Sequence, residues 1–285
     1  MKTQPVYLVL DINHSKTTLA LMNTSKQLAY KSENTAATME AGIRKVKRDC
    51  KQLMKKDQTI KQVICSVPKP NMENGSFTDY RMLPWNNKPL IVLLSHTFHC
   101  PVKMVNRYAL EALGEAVFGA GKNENVVMYY HLGSNVSGTC VVEQKLRRSL
   151  LRYRPEQQLI AQSHGNYQTL EELISLRNME EQLIRKKETV NKDKLIEAIE
   201  HNLAVGLFNS LTHYEPGIIV LGGSLSSELS LKNIKGYLEN MCENGSRIPK
   251  IIRSEKSSFG PLYGALALIR AEAPITLPPD SKATS

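Results

Sequence analysis

Cysteine is sparse and unpatterned in this 285-residue chain: Cys50, Cys65, Cys100, Cys140 and Cys242 are odd in number, scattered and never spaced as a C-x-x-C pair. That excludes a disulfide framework and a cysteine-rich zinc cluster, and leaves reduced, mostly buried thiols. No apolar stretch approaches the ~20 residues that span a bilayer, and the chain turns polar at Asp11, too soon for a signal peptide. A cytoplasmic protein with no membrane partner is the expectation. There is no internal repeat of short period and only one tryptophan. Acidic residues are in deficit, 27 against 37 Lys and Arg, for a net charge of +10. The surplus favours anionic partners, but much of it sits in RKVKRDCKQLMKK, Arg44 to Lys56. The helical spacing of that run reads as a solvated helix face rather than a nucleic-acid site.

What is present is an α/β pattern, 41% hydrophobic and long enough for two domains of moderate size. Its organising stretch, Val102 to Thr139, reads strand, helix, strand, polar loop. Asn106 and Gly133-Ser134-Asn135 thereby fall at the carboxyl ends of strands, where open α/β sheets hold ligands. Before it, Val6 to Leu10 and Thr17 to Met22 are strands joined by the polar turn Asp11 to Lys16, and Met39, Ile43, Val46, Cys50 and Met54 mark an amphipathic helix within Asn34 to Asp57. Ile60 to Val67 is a strand, Ile91 to Phe98 a helix and Pro101 to Val105 a strand. Tyr108 to Ala120 is a helix that Gly119-Ala120-Gly121 would end as a glycine C-cap, and Val126 to Leu132 is a strand opening into the loop Gly133 to Gly138. Thr169 to Arg185 and Lys192 to Tyr214 read as helices, Gly217 to Leu221 as a buried strand entering Gly222-Gly223-Ser224, Ile248 to Ile252 as a strand and Gly260 to Ala271 as a helix. Pro274 to Ser285, rich in Pro and Ser, reads as a mobile tail.

Several of these stretches resemble the ROK family of bacterial sugar kinases and repressors. Asn106 to Glu115 is similar to the later part of the family's V-x-N-D-A-N-x-A-A-x-x-E, followed here as there by G-A-G, and Leu132 to Gly138 is similar to L-G-T-G-x-G-x-G. Asp11 to Lys16 stands where the family writes D-x-G-G-T-K, Ser66 to Pro70 where it writes G-x-P-G-P, and Leu83-Pro84 and Trp85 where it writes N-L-P-x-W. Ile219 to Ser224 resembles I-V-L-G-G-G-V-S, and the helix from Gly260 resembles G-x-x-G-A-A-x-L. The resemblance runs in consistent order over residues 5–271. It implies a two-lobed actin-like ATPase (ribonuclease H-like) fold with an interlobe cleft. The lobes would be residues 1–106 plus 260–271 and residues 107–259, with 272–285 as a flexible tail.

The resemblance also assigns roles. Asn106, Arg107 and Trp85 fall on the sugar side; Asp11, Lys16, Gly133, Ser134, Gly222 and Gly223 fall where the family meets its nucleotide. ATP with Mg is the implied cofactor, weakened because Asn13 and His14 replace two glycines whose absence of side chains lets amides approach phosphate. A plain polar hairpin turn is the other reading of that loop. Asn135 and Ser137 replace further glycines in the second loop, while Gly133, Ser134 and Gly138 remain. Trp85 is read either as packing or as a ligand platform, Asn106 as a sugar contact or as the end of its strand, and Gly222-Gly223 as a nucleotide contact or as plain turn geometry. Arg107 occupies the position of the family's catalytic Asp, which takes a proton from the attacking sugar hydroxyl. A guanidinium offers only donors and has a pKa above ~12, so it cannot be that base.

Ser163 to Ser175 resembles the tail of the family's zinc segment C-x-C-G-x-x-G-C-L-E-x-Y-x-S, with the three zinc cysteines on Gln162, His164 and Thr169; counting back puts the zinc His on Arg152 and the sugar-contact Glu on Ser149. No metal is expected there, since tetrahedral zinc wants four S or N ligands and only His164 could supply one. Arg147, Arg148, Arg152 and Arg154 are read as a solvated run, or with Arg107 as a cationic pocket for a sugar phosphate.

The functional expectation is a catalytically inactive sugar-kinase homologue, a pseudokinase that binds a sugar or anion and acts as a regulator or scaffold. The alternative is an ATP-dependent hexose or N-acetylhexosamine kinase with residual or atypical activity. A homodimer is the implied assembly. With the first strand starting at once, no helix-turn-helix for DNA is expected.

Overall fold

The computed structural model describes residues 4–79, 81–146, 154–163, 166–186, 191–243, 247–256 and 259–272. The expected tail from Pro274, together with Arg147, Arg148, Ser149, Arg152 and His164, lies outside them. The chain opens with β1 (Gln4–Ile12), β2 (Lys16–Met22) and β3 (Gln27–Asn34), followed by α1 (Met39–Leu53), β4 (Gln58–Val67), the short strands β5 (Pro70–Asn71) and β6 (Ser76–Phe77), α2 (Leu90–Phe98), β7 (Val102–Asn106) and α3 (Arg107–Phe118). It continues with β8 (Val126–Leu132), β9 (Val136–Val142), β10 (Lys145–Leu146), β11 (Leu159–Ser163), β12 (Asn166–Thr169), α4 (Leu170–Ile174), α5 (Leu176–Lys186), α6 (Lys192–Tyr214), β13 (Ile218–Gly222), α7 (Leu231–Met241), β14 (Lys250–Arg253) and α8 (Gly260–Glu272).

Two five-stranded sheets result, in the orders β3-β2-β1-β4-β7 and β10-β9-β8-β13-β14. Each is an antiparallel three-strand meander extended by two parallel strands. Strand parity decides what covers them. In β1, Val6, Leu8, Leu10 and Ile12 pack against α1 and α2, whereas Tyr7 and Val9 face α3 and α8. In β8, Met128, Tyr130 and Leu132 meet α4 and α6, whereas Val127 and Tyr129 face α3 and α8. Helices α3 and α8 therefore form a middle layer shared by both sheets.

Several elements differ from the sequence expectation. The helix within 34–57 starts at Met39, because β3 occupies residues up to Asn34 and Thr38 caps the helix by accepting from the Ala41 amide. The polar loop after β8 is only residues 133–135, since Val136 already pairs with Leu132 in an antiparallel turn. The helix read from Thr169 is two helices broken at Ser175, and Thr169 itself ends β12 and caps α4 through a reciprocal bond with Glu172. Gly119 is no left-handed cap, its φ being −116°; it is small because the Glu115 carboxylate folds over it to accept from the Ala120 amide. On α1 the basic run is partly paired, with Lys45 and Arg48 reaching Glu33 and Asp49. All five cysteines are free thiols, and no helix among the described residues is long and apolar enough to cross a membrane.

The close crossing of α3 and α8 needs Gly264: a Cβ there would fall inside the van der Waals shell of the Leu110 carbonyl oxygen. Backbone cannot yield as a side chain can. Gly264→Ala is expected to lower stability by about 1–3 kcal/mol, the usual overpacking range, as read from the midpoint of urea unfolding. An unchanged midpoint would show that the helices are free to part.

Candidate functional site

The parity that sorts the core also aims the polar ends of the strands. Asp11, next after Tyr7 and Val9 on the same face of β1, points toward the start of α3. His131, next after Val127 and Tyr129 in β8, comes to the same helix from the opposite sheet. Asn106 begins α3 by accepting from the Tyr108 amide at 2.9 Å, so its side-chain oxygen caps the helix where the strand ends. Arg107 is the first helical residue. Its Nη1 donates to Asp11 Oδ2 at 2.6 Å and its Nε to Glu111 Oε1 at 3.1 Å, one turn along the helix. The second oxygen of Glu111 accepts from the Tyr129 hydroxyl at 2.9 Å and from His131 Nδ1 at 2.8 Å, and Asp11 Oδ1 accepts from Ser66 Oγ at 2.8 Å. Side-chain exposure is 14% for Arg107, 7% for Asp11 and 3% for Glu111.

Burial pulls each of these groups toward its neutral form, and the neighbours decide the outcome. Glu111 is pushed up by burial, but the charges of His131 and Arg107 and the hydrogen bonds from His131 and Tyr129 hold it down to about 2. For Asp11 burial prevails over Arg107 and Ser66, and its pKa is raised. Burial opposes the charge on Arg107, yet Asp11 and Glu111 together leave its pKa raised. The guanidinium is therefore a fixed charge held by two carboxylates. It is neither a base nor a cation open to a ligand anion.

The first loop is also engaged internally. Asn13 Oδ1 accepts from the Ser15 amide, the Ser15 hydroxyl and the Lys16 amide at 2.8–3.0 Å, so the amides that glycines would present to phosphate are satisfied by the loop itself. His14, whose pKa is lowered by burial and then by Arg81, lies 2.9 Å from Arg81 Nη1. Lys16 is exposed at the start of β2. A nucleoside triphosphate with its metal does not fit this arrangement: Asp11 is taken by Arg107 and Ser66, and the amides are taken by Asn13.

Gly133 meets the turn after β13 at Ser224, and half-buried Ser134 is the next residue of its loop. Gly223 has a φ of 85°, and its missing side chain lets the turn close on the Leu132 backbone, while Gly222 leaves room for the Tyr129 hydroxyl that holds Glu111. The Gly-Gly pair is thus required by geometry whatever the loop binds. Trp85 is not brought to the site. Its indole is 1% exposed, packs over Gly42 and Phe77 and donates to the Ala36 carbonyl at 2.9 Å, which leaves no face for a ligand. Arg154 pairs with buried Glu156, which also accepts from the Gly138 amide, so neither Arg107 nor Arg154 contributes a free charge to a cationic pocket. No group of three or more His, Cys, Asp or Glu among the described residues is placed to hold a metal ion.

Sequence reading missed Glu111 and His131. The signals were there: Arg107 and Glu111 stand four apart on a helix, and His131 shares the parity of the residues that face it. In the family pattern that this stretch resembles, those two helix positions are written Asp and Ala, so the charge reversal at 107 is accompanied by a new counter-charge at 111.

The same arrangement of two sheets about a central helix pair occurs in known structures. A ROK hexokinase from Thermus thermophilus superposes with a TM-score of 0.79 at 16% identity, over 93% of this chain and 97% of that one. A ROK family protein from Streptococcus pneumoniae TIGR4, solved in complex with sucrose, gives 0.75 at 21% identity over 94% and 98%. A ROK family transcriptional regulator, a homologue of the E. coli MLC protein, gives 0.72 at 15% identity, over 95% of this chain and 78% of that one. The fold is the two-lobed actin-like ATPase fold. The ROK family model matches residues 7–150, and the chain belongs to that family. No curated protein sequence gives a match.

Arg107→Asp would set a third carboxylate beside Asp11 and Glu111. It is expected to cost about 3–5 kcal/mol, the range for breaking a buried pair, and adding Glu111→Ala should recover at least ~1 kcal/mol of that. Additive losses in urea unfolding would show that the two positions are uncoupled. Because the Glu111 pKa is depressed in the folded state, its contribution is present above its ordinary pKa and is lost as pH falls from there toward about 2. Glu111→Gln should flatten the stability profile in that window, and an unchanged slope would contradict the network.

Proposed function

We propose that the chain is a catalytically inactive ROK-family sugar-kinase homologue that binds a sugar or sugar phosphate in the cleft between its two sheets and acts as a regulator or scaffold. The observation that carries this reading is the fixed guanidinium at position 107. It occupies the place of the family's proton acceptor, and the carboxylate across from it, Asp11, is bonded to it. Loss of a general base alone lowers rates by roughly 10²–10⁴, and the self-satisfied first loop weakens nucleotide binding further. Sugar is the preferred ligand class because the pneumococcal relative holds sucrose and because Arg107 has no charge left over for an anion.

On this reading residues 1–106 with 260–271 and residues 107–259 form the two lobes, the family's zinc site is lost, and the chain works as a homodimer. Thr169, in the register of a zinc cysteine, is occupied as a helix cap, which supports the loss. The second reading, a hexose or N-acetylhexosamine kinase of residual activity, draws on Gly133-Ser134, whose backbone no side chain among the described residues engages in the way Asn13 engages the first loop.

The test is a coupled ADP-release assay across hexoses and N-acetylhexosamines with Mg-ATP. Turnover is expected to stay far below ~1 s⁻¹, a rate ordinary enzymes reach, in the wild type and also in Arg107→Asp with Glu111→Ala, because the first loop remains closed by Asn13. Turnover of that order in the wild type would establish the kinase reading instead.

A further inference from the structure

The face of the first sheet that α3 and α8 cover is left open at one edge. β3 is the outermost strand there. Its Tyr30 pairs with Ala20, which packs with the α8 core, so strand parity turns Tyr30 toward the same side. α8 does not cover it, and Tyr30 is 49% exposed. Between the start of β3 and the outward side of α8 lies a cavity of about 330 Å³. Buried Met22, Leu262 and Leu266 line it, and Tyr30, Phe259 and Tyr263, each more than a third exposed, form its rim. The Tyr30 and Phe259 rings meet edge to face with centroids 5.7 Å apart. Single exposed apolar residues are ordinary on a protein surface, whereas aromatic rings gathered round one apolar hollow mark a binding site.

The hollow is shaped before any ligand arrives. Arg270 on α8 donates from Nε to the Thr24 carbonyl at 3.0 Å and from Nη2 to the Ser25 carbonyl, and Asn23 Oδ1 accepts from the Ser25 and Lys26 amides at 2.9 and 2.8 Å. The β2–β3 turn is thereby pinned to the helix. The charge at the hollow has one sign. No carboxylate lines it, whereas Lys26 does, and Lys256 Nζ stands 5.3 Å from the centre of the Tyr263 ring at the rim. Size narrows the choice further: an apolar cavity of ~150 Å³ takes one benzene ring, so this one has room for two fused rings and a substituent.

We infer that this cavity binds a small flat anion, an aromatic carboxylate of one or two fused rings. The rings lie against Met22, Leu262 and Leu266 beside the Tyr30–Phe259 pair, and the carboxylate stays at the open side with Lys26. None of the lining residues belongs to the Arg107 network, so the site is separate from the cleft and stands or falls apart from the sugar-binding reading.

The test uses the full chain labelled at its Met and Leu methyl groups, with 2-naphthoate as the probe and 2-naphthamide as its uncharged counterpart. Saturable shifts of the Met22, Leu262 and Leu266 methyls are expected at millimolar 2-naphthoate, with the amide binding at least about threefold more weakly. Tyr30 and Lys26 are both exposed, so changing them leaves the core intact. Lys26→Glu should weaken 2-naphthoate about three- to tenfold and leave the amide unchanged, and Tyr30→Ala should weaken both by about three- to tenfold. Methyls unmoved by millimolar 2-naphthoate would overturn the site. Equal affinity for the acid and the amide, unaltered by Lys26→Glu, would overturn the assignment to an anion. Shifts of the same methyls with protein concentration, or on removal of residues 273–285, in place of a response to 2-naphthoate would give the hollow to a second copy or to the chain itself and overturn the small-molecule assignment.

Discussion

A buried guanidinium must have its charge balanced inside the fold, and the balancing of Arg107 organises the cleft of this protein. Asp11 comes from one sheet, Glu111 from the helix between the sheets, and Tyr129 and His131 from the other sheet, all converging on one ion-pair network. In a region shielded from water, removing any one member leaves another unpaired, so the members are held as a unit.

The surrounding geometry follows the same constraint. Gly222 makes room for the Tyr129 hydroxyl, which anchors Glu111, which in turn anchors Arg107 and fixes the proton of His131 on Nδ1. A turn read in sequence either as a nucleotide contact or as plain turn geometry thus supports the ion pairs. The loop at Asn13 shows the same inward turn: donors that would meet phosphate oxygens meet the loop's own side chain.

The larger part of the fold was legible in the sequence because continuous apolar runs such as Val6 to Leu10 and Val126 to Leu132 fix buried strands, and their order fixes the two sheets. Strand β3 was not, since an edge strand with half its side chains in water carries no apolar run. The break at Ser175 escaped because both flanking segments keep helical spacing. In the site, Arg107 and Asp11 could be named from the family pattern, yet their direct bond could not, because the pattern describes positions and not contacts across the sheets. Trp85 stayed open between packing and ligand contact because an aromatic beside a ligand motif and one packed over Gly42 look alike in one dimension.

The state of the Arg107 side chain itself can be observed. In protein labelled with ¹⁵N-arginine, its Nε–H, held by Glu111, should exchange slowly with solvent and keep its resonance position with and without saturating D-glucose and Mg-ATP. A rapidly exchanging Nε–H, or one displaced when sugar and nucleotide are added together, would show that the guanidinium leaves its carboxylates and that the cleft can still assemble a base.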